Sequence, residues 1–287
     1  MTLRRTIARI VAQEDINFLL TNRIPRRLAT RFMGRFSRIE QPLVRGLSIA
    51  LWRFFSDVDL SDAAETRFAS LHHAFIRCLR PGARPADPDP RVLASPCDAI
   101  VGAHGPIDGD RLYQVKGFPY TLGDLMGPED VSAFRDGSFV TLRLTAGMYH
   151  RFHAPADLTV DGVTYISGDT WNVNPIALKR VEKLFCKNER AIIRARLQDD
   201  TPILLVPVAA ILVASIRLRF LDTEAALRVG GSRRIACAAP FARGEEMGWF
   251  EHGSTIILFA PPGFTLDARI SDGRRISAGQ ALLHDSR

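Results

Sequence analysis

The chain has 287 residues, 46% of them hydrophobic, which is enough for one large or two small globular domains with a sizeable core. This composition excludes a disordered chain. Four cysteines, Cys78, Cys97, Cys186 and Cys237, are scattered without a CxxC pair. They therefore indicate neither a zinc site nor a disulfide framework, and they favour buried free thiols in a reducing compartment.

The positive charge is concentrated at the N-terminus. Residues 1–53 contain eleven arginines against three acidic residues, a net charge of +8, while the whole chain carries +7. The rest of the chain is therefore close to neutral. A basic segment of this kind is typical of contact with an anionic partner or of a solvated protein face.

The same segment has apolar residues at helical spacing. They recur every three or four positions, at Leu28, Phe32, Phe36, Ile39, Leu43 and Leu47. Arginines fall between them, at Arg27, Arg31, Arg35, Arg38 and Arg45. The pattern predicts amphipathic helices, and Pro25 and Pro42 are predicted to mark helix starts or breaks.

No membrane span or signal peptide is indicated. The longest apolar run, residues 47–55, is interrupted by Arg53 and is too short to cross a bilayer. Residues 1–20 are interrupted by charged side chains before an apolar core forms. Three interpretations of the basic helices stay open on composition alone: an anionic membrane surface, a helical pair packed with a solvated face, and a nucleic-acid arm.

Residues 56–92 are predicted to lead into a second region. Residues 59–71 are predicted as a short helix, and the proline-rich stretch 81–90 as an extended, exposed loop. This loop is the expected boundary between a basic, helical region 1–80 and a second region 81–287.

From Arg91 onward, short β-type runs alternate with turns that contain glycine. The predicted strands are 99–101, 111–115, 139–144, 158–160, 191–197, 203–219 and 255–259. Helical signals are limited to 121–126 and 175–182. The predicted class is α+β, with N-terminal amphipathic helices followed by a strand-rich, mainly antiparallel core.

One stretch, from Gly244 to Phe259, places Gly253 and Ser254 directly before the apolar run 255–259. One interpretation is a turn, which spacing alone favours. The other is self-cleavage, in which the Ser254 hydroxyl attacks the unhindered carbonyl of Gly253. Ester formation and β-elimination would then leave a pyruvoyl group, a ketone that forms a Schiff base with a substrate amine and accepts electrons.

The residues around this pair resemble the C-terminal signature of the phosphatidylserine decarboxylase proenzymes, Glu-Glu-Met-Gly-x-Phe followed by Gly-Ser-Thr. Further blocks agree in the family's order: Ser95-Pro96-Cys97-Asp98, Lys116-Gly117 with Tyr120-Thr121-Leu122, Tyr149-His150-Arg151-Phe152-His153-Ala154-Pro155, Asn172-Val173-Asn174-Pro175, and Leu184-Phe185 with Asn188-Glu189-Arg190. The resemblance covers roughly residues 65 to 265. His252 departs from it, because the family commonly has leucine there, and this bears on the rate of processing.

The resemblance implies processing between Gly253 and Ser254 into a β chain, 1–253, and an α chain, 254–287, with the pyruvoyl cofactor derived from Ser254. It also implies that His153 is the base for this cleavage and Asp98 its carboxylate partner. From the residues alone, a turn aspartate that caps its loop is the commoner fate for Asp98 after Ser-Pro, and a partly buried histidine bonded to a carbonyl is the alternative for His153.

The resemblance assigns His150 to the decarboxylation site, and Arg151 beside it is a candidate contact for an anionic headgroup. A surface salt bridge is the alternative for Arg151. An HxxH pair also suggests a metal, but no third ligand stands at a useful spacing, so no metal is expected.

The implied substrate is phosphatidylserine in an anionic membrane, converted to phosphatidylethanolamine and CO₂. Region 1–80 then becomes the membrane-associating part and 81–287 the catalytic domain, with Arg27, Arg31 and Arg35 as tentative contacts. Peripheral association with the cytoplasmic face of the cell membrane is expected and no nucleic acid is, while a homodimer stays open. Two alternatives remain: a pyruvoyl decarboxylase of a soluble amino acid, and a lipid-binding relative that does not cleave itself.

Overall fold

The structure, a computed structural model, describes residues 13–114, 118–210, 216–223, 225, 230–251 and 254–287. Its helices are α1 (Glu14–Asn22), α2 (Arg26–Phe36), α3 (Pro42–Phe55), α4 (Leu71–Phe75), α5 (Leu122–Met126), α6 (Pro175–Leu178) and α7 (Leu184–Lys187), with a 3₁₀ turn at Ser132–Phe134. Its strands are β1 (Val92–Ala94), β2 (Ala99–Pro106), β3 (Arg111–Tyr113), β4 (Pro119–Thr121), β5 (Ser138–Leu144), β6 (Arg151–His153), β7 (Leu158–Ile166), β8 (Arg190–Leu197), β9 (Pro202–Ala209), β10 (Ile216–Leu218), β11 (Ser232–Phe241), β12 (Glu246–Phe250), β13 (Ser254–Ala260), β14 (Phe264–Leu266), β15 (Arg275–Ile276) and β16 (Ala281–Asp285). The predicted α+β class is confirmed.

The N-terminal helices begin where the prolines predict. Pro25 occupies the N-cap of α2, and Pro42 is the first residue of α3, where its missing N–H costs no hydrogen bond. Gln41 caps α3 by accepting a hydrogen bond from the Val44 amide at 2.8 Å. The helical periodicity is therefore confirmed, divided between two helices.

The predicted helix over residues 59–71 is wrong. The Asp59 carboxylate accepts a hydrogen bond from the Ser61 amide at 2.8 Å, which forms a turn instead of a helix. A helix begins only at Leu71, after Ser70 has capped it by accepting from the His73 amide at 3.1 Å.

The core is an eight-stranded antiparallel sheet in the order β11-β7-β8-β9-β13-β5-β2-β15. Strand β13 lies near its centre, with β9 on one side and β5 on the other, and all seven of its residues are buried. A run that is apolar on both faces is what a strand covered on both sides requires. The prediction of a strand at 255–259 is confirmed.

A second sheet, β10-β12-β6, continues three strands of the first. Along the chain β5 leads to β6, β9 leads to β10, and β12 leads to β13. In the second sheet β12 is paired on both sides, by β10 and by β6. The three strands are thus interrupted at one level, after Leu144, after Ala209 and before Ser254, a place that we call the sheet break.

The sheet break corrects one prediction. Residues 203–219, which are apolar without interruption as far as Ala214, predict a single strand, but the structure divides them into β9 and β10. The division matches the interruption of β12 and β13 beside it. Residues 211–215 lie outside the described part of the chain, as do Lys116 and Gly117 of the predicted family blocks.

Strand β11 was not predicted, and it forms one edge of the large sheet against β7. Its sequence, Ser-Arg-Arg-Ile-Ala-Cys-Ala-Ala-Pro-Phe, is rich in alanine and has few β-branched residues, so it lacks the usual strand signal. The smaller sheets β1-β16-β14 and β3-β4 complete the core.

The pairing of β12 leaves no room for a side chain at Gly248. A Cβ there would lie 2.1 Å from the Arg217 carbonyl oxygen and 2.8 Å from the Phe152 ring. We expect Gly248→Ala to lower the free energy of unfolding by about 1–3 kcal/mol, because neighbouring backbone must move. Gly46→Ala is the control, since no atom lies within 4 Å of its Cβ position inside α3, and it should raise stability by about 0.5–1 kcal/mol. Urea denaturation measures both, and equal stability of Gly248→Ala and wild type would contradict the observed pairing.

Candidate active site

Ser254 is the first residue of β13 and lies at the sheet break, opposite Leu144 of β5 and Ala209 of β9. It is completely buried, and its hydroxyl makes no hydrogen bond with any residue that the structure describes. A buried hydroxyl without a partner costs free energy, so such a group calls for a functional explanation. Gly253 and His252, the other predicted residues at this bond, lie outside the described part of the chain.

Ser254 lines a cavity of about 380 Å³, a size typical of small-molecule sites. The N-terminal helices cover one side of it with Met33, Trp52, Leu71 and Phe75. The Trp52 indole also donates a hydrogen bond to the Ala146 carbonyl at 3.0 Å, and so attaches α3 to the segment that follows β5. The serine is therefore enclosed between the sheet break and a mainly apolar helical cover.

Another wall of the cavity is the segment Asn172-Val173-Asn174. The Asn172 amide donates to the Asn22 side chain at 3.0 Å, and the Asn174 side chain donates to that of Asn17 at 2.8 Å. Both partners belong to α1. This predicted family block thus joins the first helix to the cavity.

His150 lies at the sheet break, just before β6. Its carbonyl accepts a hydrogen bond from the Phe250 amide at 2.9 Å, which continues the pairing of β6 with β12. Its ring centroid is 4.0 Å from that of Phe75, which lines the cavity. Because Nδ1 lies 2.8 Å from the Met148 carbonyl, Nδ1 carries the hydrogen and the lone pair is on Nε2.

His153 lies at the other end of β6, opposite Glu246 of β12. Its Nδ1 donates to the Gly244 carbonyl at 2.9 Å, so its Nε2 accepts from the Tyr149 hydroxyl at 3.0 Å. Burial lowers the pKa of His153, against the opposing effects of the Gly244 hydrogen bond and of the charges of Glu246 and Asp98. The imidazole is therefore neutral near pH 7, the form that a general base needs.

Asp98 is a neighbour of His153, because the His153 amide donates to the carbonyl of Pro96 at 2.8 Å. Its carboxylate, however, accepts two hydrogen bonds from the Arg84 guanidinium, at 2.8 and 2.6 Å, and one from the Ala278 amide at 2.9 Å. Asp98 acts on the His153 ring through its charge. The structure thus gathers the predicted carboxylate and base into one cluster, without a hydrogen bond between them or to Ser254 among the described residues.

Arg151 points into the protein. It is buried, donates to the Glu246 carboxylate at 2.7 Å, and donates to the Ile76 and Arg77 carbonyls at 2.6–3.1 Å. Its guanidinium therefore holds β6 against β12 and the end of α4, and its hydrogen bonds are made within the protein and not to a lipid headgroup. Of the tentative membrane contacts on α2, Arg31 and Arg35 are exposed, and the side chain of Arg27 lies outside the described part.

Sequence reasoning missed two residues of the Asp98 cluster. Arg84, in the proline-rich loop, was assigned no role, and neither was Tyr149, although it begins the quoted block Tyr-His-Arg-Phe-His. The spacing of charges could not reveal Arg84, because the two paired residues are 14 positions apart and do not share a helix or a strand. In the part of the chain that the structure describes, no group of three or more His, Cys, Asp or Glu side chains is arranged to hold a metal ion.

A family model described as phosphatidylserine decarboxylase matches residues 71–284. The chain belongs to the phosphatidylserine decarboxylase family. The resemblance inferred from the motifs is confirmed, and the matched range contains Asp98, His150, His153 and Ser254.

Three similar proteins carry the name phosphatidylserine decarboxylase proenzyme. The one from Marinobacter nauticus is 34% identical over 265 residues, 87% of this chain and 90% of its own length. The one from Alkalilimnicola ehrlichii is 35% identical over 88% of this chain and 92% of its own length. The one from Sodalis glossinidius is 33% identical over 94% of this chain and 96% of its own length. The similarity within the decarboxylase family therefore extends into the N-terminal helices.

The lowered pKa of His153 gives a testable pH dependence. The unfolded histidine takes up a proton near its ordinary pKa of 6.5, while the folded ring does so only at lower pH. Its contribution to stability is therefore complete above pH 6.5 and is lost as the pH falls below that value. We expect His153→Gln to lose less stability than wild type when urea denaturation at pH 5 is compared with that at pH 7. The matched control is His104→Gln, which replaces a histidine on β2. An NMR titration that gave His153 a pKa at or above 6.5 would contradict this.

Proposed function

We propose that the chain is a self-processing phosphatidylserine decarboxylase, which cleaves itself before Ser254 and converts phosphatidylserine to phosphatidylethanolamine and CO₂. The observation that carries the proposal is the buried Ser254 hydroxyl, which has no partner among the described residues and lines a cavity beneath the N-terminal helices. Family membership supports the reaction class, and the name proenzyme, borne by the relatives, supports self-cleavage.

In the proposed processing step, Ser254 Oγ attacks the Gly253 carbonyl, and the amide bond becomes an ester. His153 is the base for this step. Its Nε2 is the basic atom, since Nδ1 already donates to Gly244, and the Tyr149 hydroxyl that now donates to Nε2 must move aside or relay the proton. The charge of Asp98 favours the protonated ring that results. β-Elimination then releases the Gly253 carboxylate, and hydrolysis of the dehydroalanine releases ammonia and leaves the pyruvoyl group.

The sheet explains why such a cut would leave the fold intact. The α chain, residues 254–287, would contain β13 to β16. Within it, β13 is paired with β5 and β9, β15 with β2, and β16 with β1, all of which belong to the β chain. Antiparallel hydrogen bonds on both sides of β13 would hold residue 254 in place after its peptide bond is lost.

The site around Ser254 fits a pyruvoyl group, since the side chain of this residue lines a cavity and has no bonded partner among the described residues. A pyruvoyl group supplies a ketone that takes up the substrate amine and accepts the electrons released with CO₂. Met33, Trp52 and Phe75 give this side of the cavity an apolar lining, which would limit the access of water to the reacting carbon. His150 Nε2, close behind Phe75, is the proposed donor of the proton that replaces CO₂.

The N-terminal helices are the proposed membrane-binding surface. On α2 and α3, Leu28, Phe32, Leu43 and Leu47 expose between 64% and 78% of their surface. Large exposed apolar patches mark interaction sites, and surface arginines near anionic lipid contribute about 1 kcal/mol each.

The opposite sides of α2 and α3 contribute Met33 and Trp52 to the cavity. A lipid headgroup could therefore pass from the surface to Ser254 along the same two helices. No helix in the described ranges has the length and apolar character needed to cross a bilayer. We assign the protein to the cytoplasmic face of the cell membrane as part of this proposal. Neither self-cleavage nor decarboxylation requires a second copy of the chain, so the possible homodimer is not part of this proposal.

Self-cleavage is tested by the intact mass of the denatured protein. We expect wild type to yield two pieces divided before residue 254, the smaller with 34 residues and an N-terminal pyruvoyl group, whereas Ser254→Ala stays whole. Incubation of the cut protein with phosphatidylserine vesicles should release CO₂ and phosphatidylethanolamine. If both proteins are folded and both remain uncut, self-cleavage is excluded, and the remaining hypothesis is a lipid-binding relative that does not cleave itself. A cut chain that decarboxylates free serine but not phosphatidylserine would favour the soluble substrate.

Membrane docking is tested by vesicle flotation. Phe32→Asp combined with Leu47→Asp should reduce binding to anionic vesicles by roughly 100-fold or more, because each change removes apolar burial and adds a repelled charge. Tyr113→Asp is the matched control, since Tyr113 on β3 is an exposed large side chain that lies on none of these helices. Equal binding of the double variant and wild type would exclude this surface.

A further inference from the structure

Arg143, near the end of β5, also lines the cavity that contains Ser254. The other described residues that line this cavity are apolar or uncharged. Arg143 therefore brings a permanent positive charge to an otherwise neutral site.

Arg143 differs from the buried arginines Arg151 and Arg190. Arg151 donates to Glu246 and to carbonyls, and Arg190 donates to the carbonyls of Leu125, Cys186 and Asn188. The guanidinium of Arg143, which is half-buried, makes no hydrogen bond or ion pair with any residue in the described ranges. Burial lowers the pKa of Arg143, and the charge of Asp272 opposes this effect only in part. A desolvated cation without bonded anions is the arrangement expected of a site that receives an anion.

The strand register places Arg143 next to the reacting position. Arg143 is opposite Thr255 on β13, and Leu144 is opposite Ser254. Because successive side chains leave a strand on opposite faces, Arg143 and Ser254 start on different faces. Strand β5 stops at Leu144, so Arg143 contributes to the cavity from the end of the strand, at the sheet break.

We propose that Arg143 binds the phosphate of the lipid headgroup, an inference that rests on the proposed function. A guanidinium offers two parallel donors that match two phosphate oxygens. In the substrate, three bonds separate the phosphorus from the carbon that carries the amine. If the amine is bound at residue 254 on β13, the phosphate lies close to the neighbouring strand β5. Adjacent strands in a sheet are about 4.8 Å apart.

The substrate also carries a carboxylate, but this group is a poorer partner for Arg143. The carboxylate loses its charge when CO₂ leaves, so an ion pair with it would stabilise the starting state more than the transition state. The phosphate keeps its charge throughout the reaction. Binding energy at the phosphate therefore positions the substrate without opposing the chemistry.

The test compares two small ligands with the processed, full-length protein. Glycerophosphoethanolamine has the phosphate and the amine but no carboxylate, and serine has the carboxylate and the amine but no phosphate. We expect Arg143→Gln to weaken glycerophosphoethanolamine binding by roughly 10-fold or more in calorimetry and to leave serine binding within about twofold of wild type. Arg143→Lys should give an intermediate loss, because it keeps the charge but not the paired donors.

Arg275→Gln is the matched control, since Arg275 is an exposed arginine on β15 that does not line the cavity, and it should bind both ligands as wild type does. Intact mass and thermal unfolding show whether each variant is cut and folded. A loss of serine binding alone would assign Arg143 to the carboxylate and overturn the proposal. Unchanged binding of both ligands, or no binding of glycerophosphoethanolamine to wild type, would overturn it as well.

The kinetic counterpart uses phosphatidylserine in mixed micelles. We expect Arg143→Gln to raise KM and the inhibition constant of phosphatidylethanolamine by the same factor, with kcat changed less than about threefold. A lower kcat with unchanged KM would overturn the phosphate contact. Wild type that makes no phosphatidylethanolamine would instead refute the proposed function, and the calorimetric comparison would still decide the role of Arg143.

Discussion

The pairing of β13 with β5 on one side and β9 on the other is the interaction on which the rest of the structure depends. It buries all seven residues of β13 and places Ser254 at the point where three strands are interrupted together. A serine in the middle of such a strand would have no space beside it. At the start of the strand, the same residue borders a cavity while its neighbours remain fixed. The proposed reaction needs both properties, because a nucleophile must be held accurately and must still face open space.

The N-terminal helices contribute to the same cavity, although they also expose large apolar side chains to solvent. A leucine or phenylalanine side chain that stays exposed does not stabilise the fold, whereas burying one contributes about 1.5–3 kcal/mol of free energy. Yet α2 and α3 turn several of them outward while Met33 and Trp52 cover the serine. Hydrogen bonds from Trp52 to Ala146 and between the asparagines of α1 and the Asn172-Val173-Asn174 wall keep this cover in place. A membrane surface on the outer side of the helices would account for both arrangements at once.

The sequence predicted those features that depend on local pattern. The helical spacing around Phe32 and Leu43, the prolines at helix starts and the apolar run of β13 each carry their own signal, and each is confirmed. Predictions failed where distant residues decide. An Asx turn at Asp59 replaces a helix, and the interruption of β12 and β13 divides the run 203–219. No sequence pattern could reveal that Arg84 binds the Asp98 carboxylate or that Arg143 has no bonded anion among the described residues, because both facts depend on the tertiary fold.

The ionisable groups of the site fall into two sets. Asp98 and His153 belong to a cluster with Arg84, Tyr149 and Gly244, in which nearly every polar atom has a partner. His150 and Arg143 lie instead at the sheet break with Ser254. A saturated cluster resists rearrangement, so it suits a step that occurs once in the life of each molecule. A cavity with a cation that has no bonded anion in the described ranges would suit a step that repeats, because each substrate would supply an anion and each product would take it away. The division of the polar groups therefore matches the division of the proposed chemistry into processing and turnover.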